Sequence, residues 1–106
     1  MTETQIQDPL FPDLVRWRRH VHQHPELSYH ESETAAYVEE ELQKLGVTDI
    51  SAPTPTSRVA EITGLAPAST GVRPAVVAIR ADMDALPVPE ADGLDFCSVN
   101  PGVSHA

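Results

Sequence analysis

Two aspartates one residue apart, Asp82 and Asp84, stand in Arg80-Ala81-Asp82-Met83-Asp84, directly after the apolar run Ala75-Val76-Val77-Ala78-Ile79. An extended backbone sends alternate side chains to the same side, so the two carboxylates would point together. Such a pair could bind a cation, orient a metal-bound imidazole or move a proton. It could equally be two solvated acids where a strand ends. The second candidate is a histidine cluster, His20, His22 and His24, joined by His30. On a helix His20 and His24 share a face and could share a metal, while His22 points elsewhere. No Glu of the H-E-x-x-H kind lies between them, and Pro25 ends the helix at the pair. The plainer reading is a polar helix end whose imidazoles complement the C-terminal dipole. Arg16, Arg18 and Arg19, and likewise Glu39, Glu40 and Glu41, read as solvated helix faces. Cys97 has neither a basic neighbour nor a CxxC partner and reads as an inert thiol.

These residues need elements to position them. Leu10, Leu14, Trp17 and Val21 fall on one helical stripe, and Pro25 pushes the residue before it out of the helical region. A second helix follows, with Ser28 and Glu31 in capping-box spacing and Ser32 as an alternative cap. Ala35, Val38, Leu42 and Leu45 carry its period, and Gly46 closes it. The pattern then turns extended, over Val47 to Ile50 and again around Val59 and Ile62, with a Pro-rich turn between. Leu65 to Pro74 reads as a loop. Ala75 to Ile79, apolar at every position, reads as a strand covered on both faces, and ligands in open α/β sheets bind beyond such strand ends. The expected fold is α/β: two N-terminal helices, then strands of an incomplete mixed sheet that begins a larger domain. Residues 1–12 are expected to be a flexible lead and residues 86–106 an irregular loop on the active-site side.

Composition narrows the function. The 106 residues are 41% apolar and 22% charged, which excludes the disordered and collagenous classes. Sixteen acidic against seven basic residues give a net charge of −9, unsuited to a nucleic-acid partner. The longest apolar run is too short to cross a bilayer, and Met1 to Phe11 lacks a secretory pattern. One cysteine allows no internal disulfide. The expectation is a cytoplasmic protein without nucleic-acid or membrane partners.

Three stretches, in order, resemble one family. They are Arg18-Arg19-His20 leading to His24-Pro25-Glu26-Leu27-Ser28 with Glu31 and Thr34-Ala35, then Ile79 to Pro87, then Asn100-Pro101-Gly102-Val103-Ser104-His105-Ala106. They resemble the metal-dependent amidohydrolases of the aminoacylase and metallocarboxypeptidase superfamily, in the branch of hippurate hydrolases, N-acyl-amino-acid amidohydrolases and auxin-conjugate hydrolases. The resemblance implies a parent enzyme that hydrolyses the amide bond of an N-acyl amino acid or similar conjugate. It would use two divalent ions (Zn, Mn, Ni or Co) to polarise the carbonyl and activate a water. In that family the last stretch continues into Cys-Gly-His-Asp, whose Cys and His bind metal. The ligands, the Glu general base and the smaller domain are therefore expected outside residues 1–106, which form the N-terminal part of one catalytic domain. This chain alone is expected to bind no metal and to be inactive, with the remainder of the hydrolase as a possible partner. By the same resemblance Asp84 supports a metal-binding side chain from behind. Asp82 stands where many relatives carry a ligand histidine, without a settled role. The alternative is a small non-catalytic module that binds metal through His20 and His24.

Overall fold

The computed structural model describes residues 8–67, 71, 73, 75–91 and 93–105. Residues 1–7 of the expected lead, residues 68–70, 72 and 74 of the first expected loop, and residues 92 and 106 of the second lie outside the described residues.

Helix α1 spans Phe11–Gln23. Pro12 sits in its first turn, where a missing N–H costs nothing, and the Asp8 carboxylate accepts the Leu10 N–H at 2.9 Å. The helix stops at His24, and the following Pro25 is the largest fully buried side chain. Helix α2 spans Ser32–Lys44. Its N-terminus corrects the expected capping box. Glu31 turns back instead to accept the N–H of Tyr29 at 2.9 Å, and Tyr29 has a positive φ of 66°. The cap comes from Glu26, in the turn between the helices. Its carboxylate accepts the Glu33 N–H at 3.2 Å, the Thr34 N–H at 2.6 Å and the Thr34 hydroxyl at 2.7 Å. At the other end Gly46, at φ +88°, lets its own N–H reach Gln43 O and the Val47 N–H reach Leu42 O. These are the two bonds of a Schellman closure, as the glycine suggests.

Strands β1 (Ile50–Ser51) and β2 (Val59–Ala60) pair antiparallel, with Ile50 opposite Ala60 and Ser51 opposite Val59. Arg58, beside β2, ties this pair to α2 through Glu39. A parallel bridge joins Leu27 to Ala85, and an antiparallel one joins Leu86 to Ser104.

The run Ala75 to Ile79 departs from expectation, because it is not a strand. Val76 and Ile79 are each 95% exposed and Val77 85%. No strand among the described residues runs beside it, so its backbone has no ladder to join. The stripe of α1 is likewise only partly covered, with Leu14 52% exposed. Among the described residues, buried apolar side chains are confined to Pro25, Ala35 and Ala85 around the interhelical turn. The radius of gyration is 17.5 Å; a closed domain of this length would measure about 13 Å. Among the described residues, apolar cover is concentrated at this turn and sparse elsewhere.

Candidate functional site

The three stretches that sequence places far apart meet at one junction. The Ala85 N–H donates to Glu26 O at 2.8 Å, joining the second stretch to the first. The Leu86 N–H donates to Ser104 O at 2.9 Å, and the Ser104 N–H returns to Leu86 O at 3.0 Å, joining the second to the third. The Asn100 side-chain amide donates to Pro25 O at 2.8 Å, joining the third to the first. Ser104 is only 3% exposed, and its hydroxyl donates to Val88 O at 2.8 Å. A buried hydroxyl without that acceptor would be costly, so the bond fixes the register of the closing segment.

Asp84 immediately precedes the bridge at Ala85 and is half-buried. It lines a hollow with Ser28, Glu31 and Asp82. The two aspartates differ in environment. Asp82 is 70% exposed and pairs with the Arg80 guanidinium at 2.9 Å. In the third stretch lies His105, whose Nε2 is buried without a hydrogen-bond partner among the described residues. Burial pushes the His105 imidazole below its ordinary pKa and nearby His22 adds to this, while the charge of Asp84 opposes both. The Leu86–Ser104 bridge thus joins the segment that carries Asp84 to the one that carries His105.

The histidine cluster divides. His20 stacks on Tyr37, ring centroids 3.8 Å apart, and lies 4.7 Å from the ring of His24. Burial lowers the His20 pKa, and the neighbouring His24 lowers it further. His22 does point elsewhere, its Nε2 bonding the Glu90 carboxylate at 2.6 Å. Among the described residues no group of three or more His, Cys, Asp or Glu side chains could hold a metal ion. The described residues therefore do not by themselves fit a metal centre, and none of them is assigned a metal-dependent step.

One expectation is overturned on α2. Glu41 is not part of a solvated face but 8% exposed, and its Oε2 accepts the Trp17 indole N–H at 2.7 Å and Arg16 at 3.2 Å. The Trp17 bond, then Arg16, holds its carboxyl down at about 2. Glu90 and Glu26 were not singled out from the sequence. Glu90 lies 68 residues from its partner His22, a separation that no local pattern reports. Cys97 donates to Leu94 O at 2.8 Å and is half-buried.

Comparison with protein-family models gives no match. Individual proteins do match. An N-acyl-L-amino acid amidohydrolase of Geobacillus stearothermophilus is 48% identical over 109 residues, covering 100% of this chain and 28% of that protein. Thermostable carboxypeptidase 1 of Saccharolobus solfataricus is 46% identical over 94 residues, covering 88% of this chain and 22% of that protein. A Bacillus subtilis crystal structure described as a dinuclear metal binding peptidase from the M20 family superposes with a TM-score of 0.75. It is 36% identical, and the match covers 89% of this chain and 25% of that one. The chain spans about a quarter of the length of these relatives. Over nearly its whole length it is similar to these amidohydrolases and peptidases, and its fold corresponds to the N-terminal part of the M20 peptidase. The resemblance read from the three stretches is borne out.

Proposed function

We propose that this chain builds the rim of the catalytic centre in a hydrolase that cleaves the amide bond of N-acyl amino acids or similar conjugates. We also propose that the 106 residues are inactive by themselves. The observation that carries the reading is the junction, where three separated stretches, the second containing Asp84 and the third His105, are hydrogen-bonded into one unit. The relative named N-acyl-L-amino acid amidohydrolase supports the substrate class. Asp84 has the role of an outer carboxylate, which fixes the tautomer and orientation of the group it faces. Asp82, exposed and paired with Arg80, stands outside the junction and is left without a catalytic role. The two divalent ions (Zn, Mn, Ni or Co) and the general base belong to the remainder of the hydrolase, which is the partner this reading requires. We also propose a cytoplasmic location, where the free thiol of Cys97 would persist reduced.

The test completes the domain. Residues 1–106 are joined to the part of the Geobacillus amidohydrolase that follows its matching stretch, and both chain and fusion are assayed on N-acetyl-L-amino acids with added Zn, Mn, Ni or Co. The expected result is metal-dependent release of amino acid by the fusion and none by the chain. Turnover by the chain alone, or a folded fusion without turnover, overturns the reading.

A further inference from the structure

A single carboxylate holds the segment 90–98 against the end of α1. Glu90 Oε2 accepts from His22 Nε2 at 2.6 Å, while its Oε1 accepts the Ser98 N–H. Both side chains are largely withdrawn from water, His22 13% and Glu90 16% exposed. The His22 bond, ahead of the Ser98 bond, keeps the Glu90 carboxyl below its ordinary range. It is therefore ionised at neutral pH, and the imidazole nitrogen is the donor. Phe96 packs edge-on against the His22 ring at 5.5 Å, and Arg19 lies 4.8 Å from the Phe96 ring. Next to this contact the Val99 N–H donates to Gln23 O at 2.9 Å, and Asn100 reaches Pro25 O. The ring of His105, five residues beyond Asn100, then lies 6.4 Å from that of His22.

Withdrawing a carboxylate and its donor from water offsets most of their attraction, so an apolar pair would anchor the loop as firmly. What the hydrogen-bonded pair adds is direction. We propose that His22 and Glu90 are positioning residues, a strap that fixes Ser98 and its neighbours on the end of α1 and so holds the segment leading to His105 in place. The consequence for catalysis rests on the amidohydrolase reading; the strap itself does not.

The experiment follows amide exchange and imidazole resonances by NMR in the 106-residue chain. Its variants are His22→Ala, Glu90→Ala, the double variant, and His22→Gln, which keeps a nitrogen donor. Ser98 and Val99 amides are expected to be protected in the parent chain. Each single alanine variant should raise their exchange at least about tenfold and shift the His105 ring signals; about tenfold corresponds to loss of one charged hydrogen bond. The double variant should do no more than either single one, and His22→Gln should restore most of the protection. Unprotected amides in the parent chain, additive effects, unmoved His105 signals or no rescue by glutamine would each overturn the strap. In the fusion described above, Glu90→Ala should lower kcat about 10–100-fold, the usual cost of a lost supporting contact, with KM within about twofold. An unchanged kcat overturns the proposed positioning role. A parent fusion without activity instead counts against the amidohydrolase reading, and the exchange measurement still decides on the strap.

Discussion

Replacing Glu26 by alanine removes the whole N-terminal cap of α2. Three hydrogen bonds converge on this carboxylate, two of them from Thr34, which is only 5% exposed. Loss of a helix cap costs about 0.5–2 kcal/mol. A buried donor left without an acceptor costs about 1–3 kcal/mol, an overlapping rather than additional penalty. A local cost of about 2 kcal/mol follows, and at 1.4 kcal/mol per decade the Thr34 amide should exchange about thirty-fold faster. Glu26→Gln keeps a carbonyl oxygen where Oε1 stands, so both Thr34 bonds survive. It forfeits the Glu33 bond and a charge at the helix N-terminus, about 0.3–1 kcal/mol, for at most about a five-fold rise. The assay is site-resolved hydrogen exchange on the two variants and the parent chain. A Thr34 rate within about threefold of the parent in Glu26→Ala, or equal effects from alanine and glutamine, refutes the capping argument.

Three further outcomes follow from the same contacts. The Glu41 carboxyl, followed by its carbon shift, should titrate near 2 rather than at the ordinary 4.5, and Trp17→Phe should move it upward. Because the folded value is depressed, its stabilisation is complete above about pH 4.5 and fades as pH falls towards 2; a midpoint at 4.5 in the parent chain would contradict this. Gly46→Ala meets no atom within 4 Å but must adopt φ +88°. Backbone strain alone should cost about 1–2 kcal/mol in denaturant unfolding, and a neutral result would remove the Schellman closure from the account. Val76→Lys, at a site 95% exposed, should leave the isolated chain's stability within about 0.5 kcal/mol and improve its solubility. In the fusion, where the run is expected to become a buried strand, the same change should prevent folding, as judged by the loss of a cooperative melt.

The helices were legible because each is local. The Leu10 to Val21 stripe, Pro25 and Gly46 are signals contained within a few residues of the boundaries they set. The capping box failed because Ser28 and Glu31 have the right spacing, but spacing does not report a competing carboxylate at Glu26. Glu41 failed because three consecutive glutamates look alike in a pattern, and only packing of α1 on α2 selects the one that meets Trp17. The strand at Ala75 to Ile79 was read from its own side chains, whereas a strand exists only with neighbours to complete its hydrogen bonds. At the site, the stretch containing Asp84 was visible, and so was the stretch ending in His105. Their joining was not, because it runs through the Leu86–Ser104 bridge, between residues that no local pattern relates.

The central claim is that Asp84 stands at the rim of a metal centre and steadies it without binding metal directly. Metal titration of the fusion carrying Asp84→Asn, with the parent fusion and Asp82→Asn alongside, puts this to measurement. The account predicts affinity about 10–100-fold weaker for Asp84→Asn, and binding close to the parent for Asp82→Asn. Equal affinity in the Asp84 variant, or a larger loss from Asp82→Asn, would contradict it.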